Sequence, residues 1–275
     1  MTIHVVGAGG MLGQDVLRAA GADAVALTRA DLDVTDAPAV HEALAGAEVV
    51  INCAAYTDVD GAETDPGAAH AVNADGARNV AEAAARVIYV STDYVFDGSK
   101  TRPYVESDAT GPLSEYGRSK LAGERGTLTT SPHSLVVRSS WLFGAGGGNF
   151  VDTMLRLGVE RDELEVVDDQ LGCPTFTGHL AEALVTLARG EVRLADGRSA
   201  HGVLHVAGSG SCSWFEFARE IFDSAGVEAQ LRRCTTAEFP RPAPRPANSV
   251  LRSERGAPLL PTWQEGLDAF LGVRR

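Results

Sequence analysis

Cysteine is scarce in this sequence, and it contains no apolar run of membrane-spanning length. The 275 residues include four cysteines, which are scattered along the chain: Cys53, Cys173, Cys212 and Cys234. Their spacing matches neither a metal site nor a redox motif, so we expect free thiols in a reducing compartment. No basic and apolar leader precedes the first strand-like segment. These features favour a cytoplasmic protein that makes no membrane contact.

Positive charge is also in deficit. The chain carries 24 lysines and arginines against 37 aspartates and glutamates, a formal net charge of −13. Such an excess argues against a nucleic-acid backbone or an anionic membrane as partner. Any phosphate-bearing ligand must therefore be held by individual arginines and helix ends. Hydrophobic residues make up 44% of the chain, which is enough for a sizeable core.

A glycine-rich turn lies close to the N-terminus. Residues 2–6 form a strand-like run, Gly7 to Gly13 follow, and a helix-like stretch includes Asp15 to Ala20. Gly7, Gly10 and Gly13 are spaced G-x-x-G-x-x-G, and Gly9 partly satisfies G-x-G-x-x-G as well. Strand, glycine turn and helix are typical of a dinucleotide site, where glycines let the backbone approach a pyrophosphate at the helix N-terminus.

The next strand-like run, Ala24 to Leu27, indicates which cofactor is preferred. It ends in Thr28-Arg29, and no carboxylate occurs before Asp31. An acidic residue at this point suits the ribose 2′-hydroxyl of NAD, whereas an arginine suits a 2′-phosphate. The sequence therefore favours NADPH, with NADH as the alternative cofactor. A solvated surface role is the competing interpretation of Arg29.

Strand-like and helix-like stretches alternate through the first half of the chain. This alternation predicts an α/β fold with a doubly wound parallel sheet of the Rossmann type and a small C-terminal substrate-binding lobe. We expect residues 1–142 to form mainly the dinucleotide-binding domain. Residues 143–275 would form mainly the substrate lobe, interwoven with the sheet. A helix predicted over Ala71 to Ala85 runs into the strand at Val87 almost without a connection, so we expect that helix to be shortened by about a turn.

Tyr116 and Lys120 are four residues apart in a predicted helix, Ser114 to Arg125. This spacing puts both side chains on one helix face. Tyrosine ordinarily titrates near pH ~10, and a neighbouring ammonium group would lower that pKa. Such a phenol can exchange a proton with a substrate oxygen. The alternative is a half-buried tyrosine beside a solvated lysine, which the upstream cofactor motif disfavours.

A strand that ends at Ser91-Thr92 precedes this helix. Ligands of such sheets bind beyond the carboxyl ends of the strands. A hydroxyl group there can therefore bond the same substrate oxygen as Tyr116. Physical reasoning alone leaves Ser91 and Thr92 nearly even, and either can instead cap the end of the strand.

Taken together, these segments resemble the dTDP-4-dehydrorhamnose reductase family of extended short-chain dehydrogenases/reductases. The resemblance runs nearly end to end and includes Gly7–Gly13, Asn52–Asp60, Ala71–Asn73, Ser91–Gly98, Arg138–Gly144, Asn149-Phe150, Asp169–Thr175, Ser213-Trp214 and Arg245–Ser249. Only the first half of this set is shared with the wider superfamily. The second half points to sugar-nucleotide reduction.

The resemblance implies that NADPH reduces the C4 ketone of dTDP-4-dehydro-β-L-rhamnose to dTDP-L-rhamnose. It assigns proton donation to Tyr116, lowering of the tyrosine pKa and binding of the nicotinamide ribose to Lys120, and orientation of the carbonyl to Thr92. The implied cofactor-binding residues, besides Tyr116 and Lys120, are Gly7, Gly10, Met11, Leu12, Gly13, Arg29, Asp33, Val34, Ala54, Ala55 and Tyr56.

The resemblance also implies a substrate site. Its members would be Asp93, Tyr94, Trp141, Asn149, Gln170 and Arg245. Trp141 would face the hexose, and the guanidinium of Arg245 suits a diphosphate. Structural roles compete with these assignments: Trp141 in the core, Asn149 in a turn, and Gln170 as a loop anchor. Some family members use magnesium, for which Asp15 would be one ligand, but we expect no required metal.

Two other functions compete with this one. A 4-ketoreductase for another dTDP-deoxysugar would look much the same, since specificity lies in the loops around Trp141 and residues 144–149. A non-catalytic NADP-binding regulatory subunit is the second alternative, because fold does not fix function. The complete set Thr92, Tyr116 and Lys120 argues against it. We expect a monomer or a homodimer.

Overall fold

The computed structural model describes residues 1–273, which form twelve strands and ten α-helices. The strands are β1 (Ile3–Val6), β2 (Ala24–Leu27), β3 (Val49–Asn52), β4 (Val87–Thr92), β5 (Leu135–Ser139), β6 (Leu142–Phe143), β7 (Glu163–Val167), β8 (Leu171–Gly172), β9 (Thr175–Phe176), β10 (Gly202–His205), β11 (Cys212–Ser213) and β12 (Gln230–Cys234). The helices are α1 (Met11–Ala20), α2 (Ala37–Ala43), α3 (Gly61–Thr64), α4 (Pro66–His70), α5 (Ala77–Ala83), α6 (Glu115–Thr130), α7 (Phe150–Glu160), α8 (Thr177–Ala188), α9 (Trp214–Ala225) and α10 (Trp263–Val273).

A six-stranded parallel sheet forms the centre of the molecule, in the order β10-β5-β4-β3-β1-β2. The order reverses direction between β1 and β3, and ligands bind at such a switch point in doubly wound sheets. Helices α1 and α8 pack together over one face of the sheet, while α5 covers the other. The predicted Rossmann fold is confirmed.

The second half of the chain contributes to this sheet and also builds a lobe beside it. Strand β10 pairs with β5 at the sheet edge. The lobe contains three two-stranded sheets, β6-β9, β8-β11 and β7-β12, around a core that includes Phe143, Phe217 and Phe270. The point along the chain at which the two lobes divide stays a prediction.

The helix predicted over residues 71–85 has different bounds in the structure. It continues α4 through a π-helical turn, Ala71–Gly76, and α5 then ends at Ala83, where the backbone of Ala84 becomes extended. Residues 84–86 therefore connect α5 to β4, and the expected shortening of this helix is confirmed. Burial of Ala84 against the sheet replaces the helical turn that its alanine-rich sequence favours.

Candidate active site

The glycine turn brings the backbone close to the adjoining strand. Gly7 has a φ of +78°, and a Cβ there would lie 2.6 Å from the Ala54 nitrogen; one at Gly13 would lie 2.3 Å from the Gly7 oxygen. Side chains are therefore excluded at both positions. Among the described residues no side chain caps the N-terminus of α1, so its first N–H groups face the space above the turn. The turn fits a pyrophosphate.

The end of β2 offers one cation and two carboxylates. The Asp31 carboxylate accepts hydrogen bonds from the backbone nitrogen of Thr28 (2.9 Å) and from its hydroxyl (2.6 Å). Hydrogen bonds from Thr35 lower the pKa of Asp33, and the nearby charge of Arg29 adds to this. Arg29 is exposed. Val34, by contrast, is buried in the core, so it can contact a cofactor only as part of the buried base of the binding site.

The segment after β3 is held by a side chain that the sequence argument left without a role. Asn73, fully buried in the π-helical turn, accepts from the Tyr56 nitrogen (2.9 Å) and donates to the Tyr56 oxygen (3.1 Å). It also donates to the Ser119 hydroxyl on α6 (2.9 Å). Asn73 thereby ties Ala54–Tyr56 to the Tyr116 helix. The signal that the sequence offered was a polar asparagine inside an alanine-rich helix. In the structure it lies in a π-helical turn, and such turns often occur at functional sites.

The structure separates Ser91 from Thr92, which physical reasoning alone left nearly even. The Ser91 hydroxyl donates to the buried Glu124 carboxylate at 2.6 Å. Thr92 instead lies beside Tyr116, and its hydroxyl lowers the pKa of that tyrosine. The Thr92 hydroxyl donates to Asp93 (3.0 Å) and accepts from the Tyr94 nitrogen (3.2 Å). Thr92 is therefore the hydroxyl placed to act with Tyr116.

Tyr116 lies on α6, which begins at the Ser114 cap. Burial raises the pKa of Tyr116 to about 12, the Asp93 charge raises it further, and the Thr92 hydrogen bond opposes both. We had expected Lys120 to lower this pKa, and that expectation was wrong for this structure. The physical reason is that desolvation of the phenol dominates, and the neighbour that lowers the pKa is Thr92 rather than Lys120. A protonated phenol at neutral pH is the form that a proton donor requires.

Lys120 is likewise buried, with 2% of its surface exposed. Its ammonium group donates to the Val90 carbonyl (2.8 Å) and lies 4.1 Å from the centroid of the Tyr89 ring. Burial lowers the pKa of Lys120 to about 7, although the Glu124 charge opposes this shift. The lysine is thus held beside the active-site strand rather than solvated.

The predicted catalytic residues line a cleft of about 590 Å³. Of the predicted residues, its wall includes Gly10, Met11, Leu12, Gly13, Ala55, Thr92, Asp93, Tyr94, Tyr116, Lys120 and Trp141. The remaining wall includes the glycines of residues 146–148, Trp214 and residues at the ends of β3, β4 and β5. One cavity therefore joins the glycine turn to the Tyr-Lys pair and the lobe.

Trp214 is a member of this site that the sequence argument treated only as part of a motif. Its ring stacks on Trp141, with centroids 3.5 Å apart, and its indole N–H donates to Gln170 (3.2 Å). Gln170 in turn donates to the Thr236 hydroxyl (2.9 Å). Gln170 is thus engaged as an anchor under the tryptophan pair.

Asn149 has the position of a helix cap. Its amide donates to the Gly144 carbonyl (2.9 Å) and to Asp152 (2.7 Å), and its oxygen accepts from the Asp152 nitrogen (3.0 Å). These bonds shape the glycine loop that lines the cleft. Asn149 therefore has the structural role, that of a turn residue, which the sequence analysis gave as the alternative. Its contact with substrate stays a prediction.

Arg245 is paired with Asp60. Two of its nitrogens donate to the two oxygens of Asp60, at 2.9 and 3.0 Å, and Asp60 also accepts from Arg241. Partial burial opposes ionisation of Asp60, but the hydrogen bonds from both arginines outweigh it and hold its pKa below the usual value. Tyr94 also bonds Arg245. The cluster of two guanidinium groups and one carboxylate keeps one positive charge beside the cleft.

The remaining sequence expectations concern metal and thiols. Asp15 is buried and bonded to Arg18 and to the Thr177 hydroxyl, the latter at 2.5 Å. Within residues 1–273 no group of three or more histidines, cysteines or acidic residues is arranged to hold a metal ion. The four cysteines are free thiols, as predicted. No helix in the described part of the chain is both long enough and apolar enough to cross a membrane.

Comparison with known proteins finds similarity along nearly the whole chain. A family model described as the RmlD substrate binding domain matches residues 1–274. A dTDP-4-dehydrorhamnose reductase of Mycobacterium tuberculosis is 46% identical, over 98% of this chain and 92% of its own. The chain belongs to the dTDP-4-dehydrorhamnose reductase family. It is an oxidoreductase of the NAD(P)H-dependent type that acts on a C=O or CH–OH group, so the predicted family and enzyme class are confirmed.

Two further similar proteins bear on the choice of cofactor and substrate. The dTDP-4-dehydrorhamnose reductase of Bacillus anthracis, solved in complex with NADP, has a TM-score of 0.92 and 36% identity, covering 99% of this chain and 100% of its own. A probable dTDP-4,6-dihydroxy-2-methyloxan-3-one 4-ketoreductase of Streptomyces antibioticus is 41% identical, over 97% of this chain and 93% of its own. The similar proteins thus carry names that refer to more than one sugar.

Proposed function

We propose that this protein uses NADPH to reduce the C4 ketone of dTDP-4-dehydro-β-L-rhamnose to dTDP-L-rhamnose. The observation that carries the proposal is the half-buried Tyr116 side chain, which lines the same cleft as Thr92, Lys120 and the glycine turn. The names of the related reductases, and the NADP bound by one of them, support the choice of substrate and cofactor.

The residues around the cleft fit a dinucleotide. The backbone of Gly10 to Gly13 would bind the pyrophosphate, because the N–H groups at the start of α1 lack intrahelical partners. Exposed Arg29 would meet a 2′-phosphate at the end of β2, which favours NADPH over NADH. When bound, the reduced nicotinamide supplies the hydride for the C4 carbonyl carbon.

Tyr116 supplies the proton that balances this hydride. As the C–O double bond becomes an alkoxide, the phenolic O–H bond breaks and its proton moves to the sugar oxygen. Thr92 would donate a hydrogen bond to the same oxygen and so favour the developing charge. The tyrosinate that remains is stabilised by the nearby Lys120 ammonium. Ketone, NADPH and one proton are consumed, and alcohol and NADP⁺ are formed.

The lobe residues would hold the sugar nucleotide. The stacked Trp141 and Trp214 rings offer an apolar surface for the hexose. Arg245, with Arg241 and Asp60, keeps one positive charge in a chain with a formal net charge of −13, and that charge suits the diphosphate. A guanidinium that Asp60 and Tyr94 already orient loses less conformational entropy when the ligand binds.

The second candidate function is reduction of a related dTDP-4-ketosugar. The Streptomyces antibioticus relative favours it, because 41% identity nearly matches the 46% of the Mycobacterium tuberculosis reductase. The hexose surface would then accept a different pattern of hydroxyl groups.

One assay tests both candidates. Purified protein is mixed with NADPH and enzymatically prepared dTDP-4-dehydro-L-rhamnose or a related dTDP-4-ketosugar, and NADPH absorbance is followed. NADH replaces NADPH in a parallel series, EDTA is added to a third, and products are identified by mass and NMR. Faster turnover of the rhamnose precursor, with dTDP-L-rhamnose as product, supports the proposal. Faster turnover of the related sugar overturns it in favour of the second candidate.

A further inference from the structure

Asp93 is a buried carboxyl group beside the catalytic residues. It opens the 3₁₀ turn that follows β4, is 1% exposed, and contributes to the cleft wall. Its Oδ1 is 3.0 Å from the Thr92 hydroxyl oxygen, and its Oδ2 is buried without a hydrogen-bond partner in the described part of the chain. A carboxylate with an unpartnered buried oxygen is costly, whereas a neutral acid is less so.

The Thr92 hydroxyl can bond its neighbours in only two ways. A hydroxyl has one proton to donate and two lone pairs that accept. The Tyr94 N–H occupies one lone pair. The remaining lone pair and the single proton are available to Asp93, which bonds Thr92, and to Tyr116, which lies beside it and whose pKa the Thr92 hydroxyl lowers.

Ionised Asp93 accepts only, so it takes the Thr92 proton. Thr92 must then accept from Tyr116, and the phenolic proton is directed at Thr92 rather than at the substrate. Neutral Asp93 with its proton on Oδ1, the oxygen that faces Thr92, donates to Thr92 instead. The Thr92 proton then turns toward Tyr116 and the substrate oxygen, and the Tyr116 proton is free for transfer.

We propose that Asp93 is a positioning residue whose neutral form sets the direction of the hydrogen bonds from Asp93 through Thr92 to Tyr116 and so makes the Tyr116 proton available to the reduced carbonyl. This proposal deepens the proposed function and rests on it. It predicts that ketone reduction is fast when Asp93 is protonated and slow when it is ionised.

The surroundings of Asp93 place its titration in the physiological range. Burial raises the pKa of Asp93 to about 7, while the nearby hydroxyls of Ser249 and Thr92 favour the carboxylate and oppose the shift. The Ser249 hydroxyl donates its own proton to the Leu171 carbonyl (3.3 Å). The ionisable groups that face Asp93 are Tyr94 on its own turn, Tyr116 on α6 and Cys173 after β8, and burial raises the pKa of each. These neighbours are neutral at pH 7. The Arg245 cation lies beyond Tyr94.

The sign of the pH dependence of kcat follows from the raised pKa of Asp93. Well below pH 7 Asp93 is neutral and Lys120, whose pKa is also about 7, is charged. The wild-type kcat is therefore expected to be constant there and to fall more steeply than about tenfold per pH unit well above pH 7, where both groups have lost a proton. Asp93→Asn and Asp93→Leu remove one of the two titrating groups, and in both variants the slope of the alkaline limb should drop to about tenfold per pH unit. Asp97→Asn is the matched control: Asp97 is an exposed carboxylate later in the same segment that bonds Ser99 and Tyr104, and its variant should keep the wild-type slope.

An infrared titration tests Asp93 without turnover. At pH 6 ordinary carboxyl groups, with pKa values near ~4, are ionised, so a remaining C=O stretch of a protonated acid reports a raised pKa. Every other described carboxyl group with a clearly shifted pKa is shifted downward. We expect this band to disappear near pH 7 in the wild type. In Thr92→Val it should persist to higher pH, because the lost hydrogen bond had favoured the carboxylate.

The two readouts separate the possible failures. A missing band at pH 6, an unshifted band in Thr92→Val, or an alkaline limb that is as steep in both Asp93 variants as in the wild type would overturn the role of Asp93. An enzyme that shows the titrating band and its Thr92→Val shift but reduces none of the ketosugars would contradict the proposed function alone. A shallower alkaline limb in both Asp93 variants, together with the shifted band, supports the proposal.

Discussion

Trp141 and Trp214 stack face to face, with ring centroids 3.5 Å apart and planes 4° from parallel. Trp141 has a φ of +48°, in the left-handed region that residues with a side chain rarely adopt. Gly172 makes room for it, since a Cβ there would lie 2.3 Å from the Trp141 ring. A strained tryptophan held by a partner ring and a glycine is typical of a binding surface whose shape matters.

Replacing Trp214 with leucine should therefore weaken binding of the sugar nucleotide. Loss of the aromatic pair is worth ~0.5–1.5 kcal/mol beyond buried area, so we expect KM for the ketosugar to rise roughly threefold to tenfold. NADPH affinity should change little, because the ring lies on the lobe side of the cleft. Steady-state kinetics measure the first quantity and fluorescence titration the second.

Trp263→Phe is the control for losing a tryptophan. Trp263 packs on Phe217 in the lobe core and is not part of the cleft wall. Its variant should keep the wild-type KM. An unchanged KM in Trp214→Leu would exclude the tryptophan pair as a sugar-binding surface.

Gly13→Ala should impair cofactor binding. The added Cβ would lie 2.3 Å from the Gly7 oxygen, a backbone atom, so the turn must shift. Steric insertions of this kind cost about 1–3 kcal/mol, and we expect the NADPH Kd to rise about tenfold or more. Isothermal titration calorimetry measures it.

The same substitution elsewhere provides the comparison. Gly126→Ala lies on α6, where the nearest atom to the new Cβ is 3.5 Å away. Alanine is favoured there by about 0.5–1 kcal/mol of helix stability, and the NADPH Kd should not change. If both alanine variants bound NADPH equally well, the glycine turn would not be the pyrophosphate site.

Glu124→Gln should destabilise the fold. Glu124 pairs with Arg138 through two hydrogen bonds, at 2.8 and 2.6 Å, and both side chains are at most 5% exposed. Removing one charge leaves the Arg138 guanidinium buried and unneutralised, which costs ~3–5 kcal/mol of the free energy of unfolding. Urea denaturation measures the loss.

An exposed ion pair calibrates that result. Arg156 and Glu160 pair at 2.8 Å on the surface of α7, where such pairs contribute ~0.3–0.5 kcal/mol. Glu160→Gln should therefore change stability little. Equal effects of the two substitutions would contradict the account of a buried pair that supports the Tyr116 helix.

The sequence identified the parts of the site that depend on local spacing. The glycine turn and the Tyr116-Lys120 pair occupy single turns of chain, so residue spacing fixes their geometry. Contacts between distant segments were harder to foresee. Asp60 was noted only within a motif, yet it orients Arg245, and Trp214 lies far along the chain from the Trp141 ring it covers.

The ionisation state of Tyr116 could also not be predicted from the sequence. Lys120 was expected to lower the pKa of Tyr116, but burial, which is a property of the folded state, dominates and raises it. The shortening of the helix predicted over residues 71–85 was expected from the missing connection to the next strand, and it follows from the packing of Ala84 against the sheet, which overrides the local helix propensity of alanine. Competition between local preference and burial is decided only by the tertiary structure.

Turnover by Tyr116→Phe tests the central claim most directly. The variant removes one oxygen, and with it the proton that balances the hydride, while Phe keeps the packing of the ring. We expect kcat for ketosugar reduction to fall ~10²–10⁴-fold, with the NADPH Kd within about twofold of wild type because the glycine turn is untouched. A variant that kept most of its activity would show that Tyr116 is not the proton donor.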